Sequence, residues 1–249
     1  MVLPDPEPAG TPTGASAGPV VERLAAARRR VRAAAEAAGR DPAEVRILLA
    51  TKTMPPEVIA QALAAGATLI GENRVQEVLA KADALAGFPH TMHFIGHLQS
   101  NKVNQLLPHI QCLQTLDSVD LIGRLQSRLE SADRNLDVFI QVNVSGEQTK
   151  SGIAPADARE MVEVVAAAPR LRLRGFMTIG LNSPDRDAIR RGYRALATIR
   201  DRAADEQWPG AQDAVELSMG MSGDFADAIA EGATIVRLGS AVFGPRPAR

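Results

Sequence analysis

Residues 46–73 read RILLATKTMPPEVIAQALAAGATLIGEN. A β-rich run over 46–51 passes through the turn Thr51-Lys52-Thr53-Met54-Pro55 into an amphipathic stretch, and a second β-rich run follows at 68–73. Short β-branched runs bounded by turn residues mark strands, and the periodic segment between them marks a helix. The chain repeats this unit. Further strands are expected at 91–96 (TMHFIG), 112–117 (CLQTLD), 137–143 (DVFIQVN), 173–179 (LRGFMTI), 215–220 (VELSMG) and 234–239 (TIVRLG), with helical stretches between them. Eight strands with no break in composition predict an α/β fold, a single closed parallel (β/α)8 barrel of the TIM type, in preference to an open doubly wound sheet. A dinucleotide-binding sheet would show about six strands and a G-x-G-x-x-G turn after the first, and the turn at 51–55 has no such pattern.

Outward from this core, the Ala- and Arg-rich segment from Val20 to Ala38 reads as an opening helix, stopped by Gly39 and Pro42. The first nineteen residues hold Pro4, Pro6, Pro8, Pro12 and Pro19 with Gly10, Gly14 and Gly18. They offer too little apolar surface to offset the entropy of ordering, so 1–19 is expected to be a disordered tail and 20–249 the barrel. The tail lacks the basic start and apolar run of a secretory signal.

The 249 residues carry 28 Lys and Arg against 29 Asp and Glu, a net charge of -1 with no basic footprint for nucleic acid. No run of 18 or more uncharged apolar residues is present to span a bilayer. The single cysteine, Cys112, excludes an intrachain disulfide framework and fits a reducing, cytoplasmic setting.

Chemistry in such a barrel sits at the C-terminal ends of the strands. Lys52, one of only four lysines, ends strand one on the same face as Leu48 and Ala50, which puts an amine at the barrel mouth. Deprotonated there, it would attack a carbonyl and form a Schiff base; the competing reading is a lysine that snorkels to solvent or pairs with Glu72. After strands seven and eight come the turns Met219-Gly220-Met221-Ser222-Gly223-Asp224 and Gly239-Ser240-Ala241-Val242-Phe243-Gly244, each leading to a helix start. These loops often form a phosphate site in barrels, and Ser222 equally reads as an N-cap for a helix over 223–231. Arg237 faces the interior and needs an acceptor: a ligand atom, or a carboxylate such as Glu216 or Asp224. Asn73 with Gln76 resembles a capping box. His93 and His97 bracket a strand end, a poor geometry for a metal, and no Ser-His-Asp order or G-x-S-x-G elbow supports a hydrolase.

Taken together, Ala50-Thr51-Lys52-Thr53, the run from Ile70 to Glu77 (IGENRVQE), the run from His93 to Lys102 (HFIGHLQSNK), Leu217-Ser218-Met219-Gly220-Met221-Ser222 and Val236-Arg237-Leu238-Gly239 resemble the pyridoxal-phosphate homeostasis protein family over about residues 20–244. The resemblance implies a barrel similar to the N-terminal domain of alanine racemase, carrying pyridoxal 5′-phosphate on a lysine. By position it makes Lys52 the lysine of the internal aldimine, Ser222, Gly239 and Ser240 the phosphate cradle with Ser218 beneath, and Arg237 the residue facing the pyridine nitrogen. Asn73 falls near the cofactor. Ser240 stands where the family commonly has Thr and keeps the hydroxyl. Lys150 also matches a family lysine.

An arginine only donates hydrogen bonds, so it cannot hold a proton on the pyridine nitrogen as a carboxylate would, and the ring becomes a poor electron sink. A racemase also needs a base on the opposite face, and the single tyrosine, Tyr193, falls in a helical stretch outside the barrel. The expected function is therefore to hold, buffer and deliver the aldehyde to apo-enzymes without turnover, as a monomer or weak dimer that binds neither nucleic acid nor membrane and uses no metal. The alternatives are a small racemase or lyase on the same barrel and, more distantly, a cofactor-free Schiff-base aldolase.

Overall fold

The computed structural model describes residues 18–147 and 150–245. Apart from Gly18 and Pro19, the segment read as a disordered tail lies outside the described residues. Strands β1 (Arg46–Ala50), β2 (Leu69–Glu72), β3 (Thr91–Phe94), β4 (Cys112–Leu116), β5 (Leu136–Gln141), β6 (Leu171–Met177), β7 (Glu216–Met221) and β8 (Ile235–Leu238) pair in parallel and in chain order. β8 closes on β1, Leu48 opposite Arg237. The (β/α)8 barrel expected from the strand count is thus formed, each strand within two residues of its expected ends.

Helices α1 (Pro19–Ala37), α2 (Pro56–Ala64), α3 (Val75–Leu85), α4 (Val103–Leu106), α5 (Val119–Ser131), α6 (Ala158–Ala166), α7 (Arg186–Asp205), α8 (Phe225–Ala230) and α9 (Ser240–Phe243) surround the sheet. The opening helix α1 buries Val20, Leu24, Ala27, Val31 and Ala35, one stripe at helical spacing, and packs against α2, α8 and α9. Alternation along the strands divides the apolar residues between two cores. Leu48, Leu69, Ile95, Cys112, Phe139, Met177 and Ile235 fill the barrel interior. Leu49, Ile70, Phe94, Leu113 and Val236 face the helices. Burial pushes the Cys112 thiol up, which keeps it protonated and inert.

Two expected caps are not formed. The N-cap of α3 is Arg74, not Asn73, whose side chain instead crosses to β3, Nδ2 donating to the Ile95 carbonyl at 3.4 Å. Ser222 does not cap α8, because the helix begins at Phe225 with Asp224 as its N-cap residue. Asp224 Oδ1 accepts from the Met221 N–H at 2.6 Å and closes the turn. That turn leaves β7 through Gly220 at φ +89°, where a Cβ would lie 2.5 Å from Ala228 Cβ.

Candidate functional site

The C-terminal mouth of the barrel holds a cavity of about 350 Å³, within the size range of small-ligand pockets. Lys52, Asn73, Ser222, Arg237, Gly239 and Ser240, singled out separately in the sequence, all line it. Ile95, Met177, Ile179 and Phe243 supply apolar walls. Lys52 belongs to the turn after β1, half-buried, and is the only lysine among the described lining residues.

Arg237 stands on the interior face of β8 and forms the polar floor. Among the described residues no carboxylate meets it: Nη1 donates to Ser218 Oγ at 2.9 Å and Nη2 to the Thr178 carbonyl at 2.7 Å. Of the two carboxylates weighed for it, Glu216 pairs with Arg46, and Asp224 accepts from Tyr193 and the Met221 N–H. Burial lowers the guanidinium to about 10, against the raising influence of Tyr193 and Asp224, so it stays charged at neutral pH. Ser218 is fully buried and lies beneath the cavity rather than on its wall. Its hydroxyl donates to Gln114 Oε1 at 2.7 Å, and Gln114 Nε2 sits 2.8 Å from His93 Nδ1. Burial, with the Arg46 charge, lowers His93 to about 3, so its neutral ring accepts from the Gln114 amide. A polar file of four side chains therefore runs from the cavity floor into the barrel.

On the opposite wall, Asn73 is brought in by a close approach of β2 and β3. A Cβ on Gly96 would fall 2.0 Å from the Asn73 carbonyl oxygen, so only glycine fits. Asn73 Oδ1 is buried with no hydrogen-bond partner among the described residues. Across the mouth, Ser222 Oγ accepts from the Ala241 N–H at 3.3 Å, tying the turn after β7 to the first turn of α9, where Ser240 follows Gly239.

Lys81 and Lys150 are engaged elsewhere. Lys150 Nζ donates to Glu147 Oε1 at 2.7 Å and the Gly180 carbonyl at 2.9 Å. Lys81 is buried behind β1 and β2, with Nζ 2.6 Å from Oε1 of Glu72, the carboxylate weighed for Lys52. The roles of Gln114 and Lys81 escape a reading of strand ends, since Gln114 lies inside a strand and Lys81 on a helix. The one signal was the spacing of Glu77 and Lys81, four apart on α3. Among the described residues no helix is long and apolar enough to cross a membrane, and no group of three or more His, Cys, Asp or Glu could hold a metal ion.

Comparison with known proteins agrees with this architecture. The family model "Alanine racemase, N-terminal domain" matches residues 23–247. The pyridoxal phosphate homeostasis protein of Pseudomonas aeruginosa is 42% identical over 227 residues, covering 91% of this chain and 96% of that protein. Its counterpart in Aquifex aeolicus is 40% identical, covering 90% and 97%. PipY of Synechococcus elongatus, solved with PLP bound, superposes with a TM-score of 0.79 at 32% identity, covering 90% of this chain and all of that one (100%). An alanine racemase of Clostridium difficile shares the fold alone, at TM-score 0.72 and 13% identity, with 60% of its own length covered. A barrel with these relatives over about nine-tenths of its chain belongs to the pyridoxal phosphate homeostasis protein family, built on the alanine racemase N-terminal domain.

Proposed function

We propose that this protein binds pyridoxal 5′-phosphate in the barrel mouth, attached at Lys52, and serves to store the cofactor and deliver it to apo-enzymes. The observation that carries the reading is the convergence of Lys52, Asn73, Ser222, Arg237, Gly239 and Ser240 on one cavity, in which Lys52 is the only lysine among the described lining residues. The residues suit the group. An amine, a polar corner made from two loops, a fixed cation at the floor and an unpartnered buried carbonyl oxygen answer an aldehyde, a phosphate, a heteroaromatic nitrogen and a ring hydroxyl.

When bound, pyridoxal 5′-phosphate supplies an aldehyde that condenses with a primary amine and, with an ionised ring, an electron sink. Lys52 provides the amine. Ser222, Gly239 and Ser240 would hold the phosphate, and Asn73 Oδ1 would accept from the ring hydroxyl. Arg237 would face the pyridine nitrogen as a donor, its orientation held by Ser218 and Thr178. A fixed donor there would disfavour protonation of that nitrogen and weaken the electron sink. Tyr193 is no substitute base: it is fully buried, its hydroxyl donates to Asp224 Oδ2 at 2.8 Å, and burial together with Asp224 raises it well above an ordinary phenol. These features favour holding over turnover. We place the protein in the cytoplasm, as a monomer or weak dimer.

Borohydride reduction of the full chain after incubation with pyridoxal 5′-phosphate, followed by peptide mass mapping, tests the assignment. The adduct is expected on Lys52 and is expected to vanish in Lys52→Ala. A wild-type adduct on another lysine, or none, overturns it.

A further inference from the structure

Behind Lys52, on the outer side of the barrel, lies a charge network that the binding reading does not use. Lys81, reaching in from α3, places Nζ 2.6 Å from Glu72 Oε1, 3.0 Å from Glu77 Oε2 and 3.0 Å from the Thr51 carbonyl. All three ammonium protons are matched by acceptors. Glu72 is fully buried at the end of β2, and the Thr51 hydroxyl donates to its Oε1 at 2.6 Å. Glu77 Oε2 also accepts the Thr53 N–H at 2.6 Å.

The network therefore grips the main chain immediately before and immediately after Lys52. Thr53 lies at φ +66°, in the left-handed region that a β-branched residue rarely adopts. Such a conformation persists only where the surroundings impose it. Here the restraints are the Glu77 carboxylate on the Thr53 N–H and a turn bond from the Met54 N–H to the Thr51 carbonyl at 3.0 Å. Burial opposes ionisation of Glu77, but the Thr53 N–H and Lys81 outweigh it and hold the carboxyl below its ordinary range, so it is an anion at neutral pH.

We infer that Glu72, Lys81 and Glu77 form a positioning device for Lys52: by holding Thr51 and keeping Thr53 left-handed, they direct the Lys52 side chain into the cavity. Lys52 follows Leu48 and Ala50 on the interior side of β1, whereas Thr51 belongs to the outer side where the charges sit. Released from Glu77, Thr53 would relax to negative φ and swing the Lys52 main chain with it. This inference rests on the reading of Lys52 as the cofactor lysine.

The experiment follows the time course of borohydride-trapped Lys52 adduct in the full chain, by peptide mass, alongside thermal unfolding. Glu77→Ala is expected to slow adduct formation by roughly tenfold to a hundredfold while the protein stays folded, the scale on which misplacement of a reacting group acts. Adding Thr53→Gly, which makes left-handed backbone cheap, is expected to restore most of the rate. General loosening of the fold would not be repaired by a glycine. A folded Glu77→Ala protein that labels Lys52 at the wild-type rate overturns the inference, as does a slowed variant that Thr53→Gly fails to rescue. If Glu77→Ala does not fold, Glu77→Gln, which keeps the volume and one acceptor, takes its place with an expected slowing of about threefold or more; the wild-type rate again overturns it. A wild-type adduct on another lysine instead removes the Lys52 reading itself, which distinguishes the two failures.

Discussion

The guanidinium of Arg237 rests on the hydroxyl of Ser218, Nη1 to Oγ 2.9 Å, inside the barrel below the cavity. The hydroxyl proton is committed to Gln114, so Ser218 meets the arginine as an acceptor. Ser218→Ala removes both bonds at once and leaves a buried cation and a buried amide oxygen each short of a partner. Denaturant unfolding is expected to show a loss of about 1–3 kcal/mol. A change within a few tenths would mean that neither bond matters to the fold.

The far end of the same file predicts a pH dependence. His93 is held at about 3 against an ordinary 6.5, by burial first and the Arg46 charge second. Between those values the unfolded chain takes up a proton that the native imidazole refuses. Stability is therefore whole above pH 6.5 and falls as acid is added towards pH 3, by at most about 1.4 kcal/mol per pH unit from this group. His93→Gln should flatten the decline just below pH 6.5, before most carboxylates titrate. Parallel curves for the two proteins in that window would contradict the assignment of a buried neutral ring.

Phosphate recognition is separable from aldehyde recognition. A Cβ on Gly239 would sit 3.3 Å from the Ala50 carbonyl oxygen and 3.6 Å from Ala50 Cβ, crowding the corner assigned to the phosphate. Gly239→Ala is expected to weaken pyridoxal 5′-phosphate binding by roughly tenfold, about 1.4 kcal/mol, while leaving pyridoxal, which has no phosphate, little affected. Equal losses for both ligands, measured by titration, would move the phosphate elsewhere.

Gly220 supplies a backbone test. With φ +89° and a would-be Cβ 2.5 Å from Ala228 Cβ, Gly220→Ala combines strain with overpacking and is expected to cost about 1–3 kcal/mol. Thermal unfolding reads this directly.

The proposed storage without turnover has a chemical signature. Loaded protein incubated with L-alanine in deuterated water is expected to exchange no α-proton beyond the cofactor-only control, because Arg237 in its proposed place would weaken the ring as an acceptor and Tyr193 is held by Asp224. Protein-dependent exchange at a rate useful to a cell would favour the racemase or lyase reading.

From the sequence alone came the eight strands, their parallel order and the opening helix, because alternation and helical periodicity are written locally and a parallel barrel leaves little choice of topology. The strand-end residues Lys52, Asn73 and Arg237 and the two Gly/Ser turns were legible for the same reason: in this fold, position along a strand says which end of the barrel a side chain reaches. Partners were not legible. Asn73 and Ser222 carry the residue types of helix caps, yet Asn73 bonds Ile95 and Ser222 bonds Ala241, since contacts between neighbouring βα units outcompete a local cap once the barrel closes. Likewise only the packing of α3 on the sheet placed Lys81 against Glu72 and Thr51, and only the closed interior aligned Arg237, Ser218, Gln114 and His93. Such pairings join residues from separate elements, 104 apart in the case of Ser218 and Gln114, and are chosen by burial, which obliges each polar group to find whichever partner the fold brings within reach.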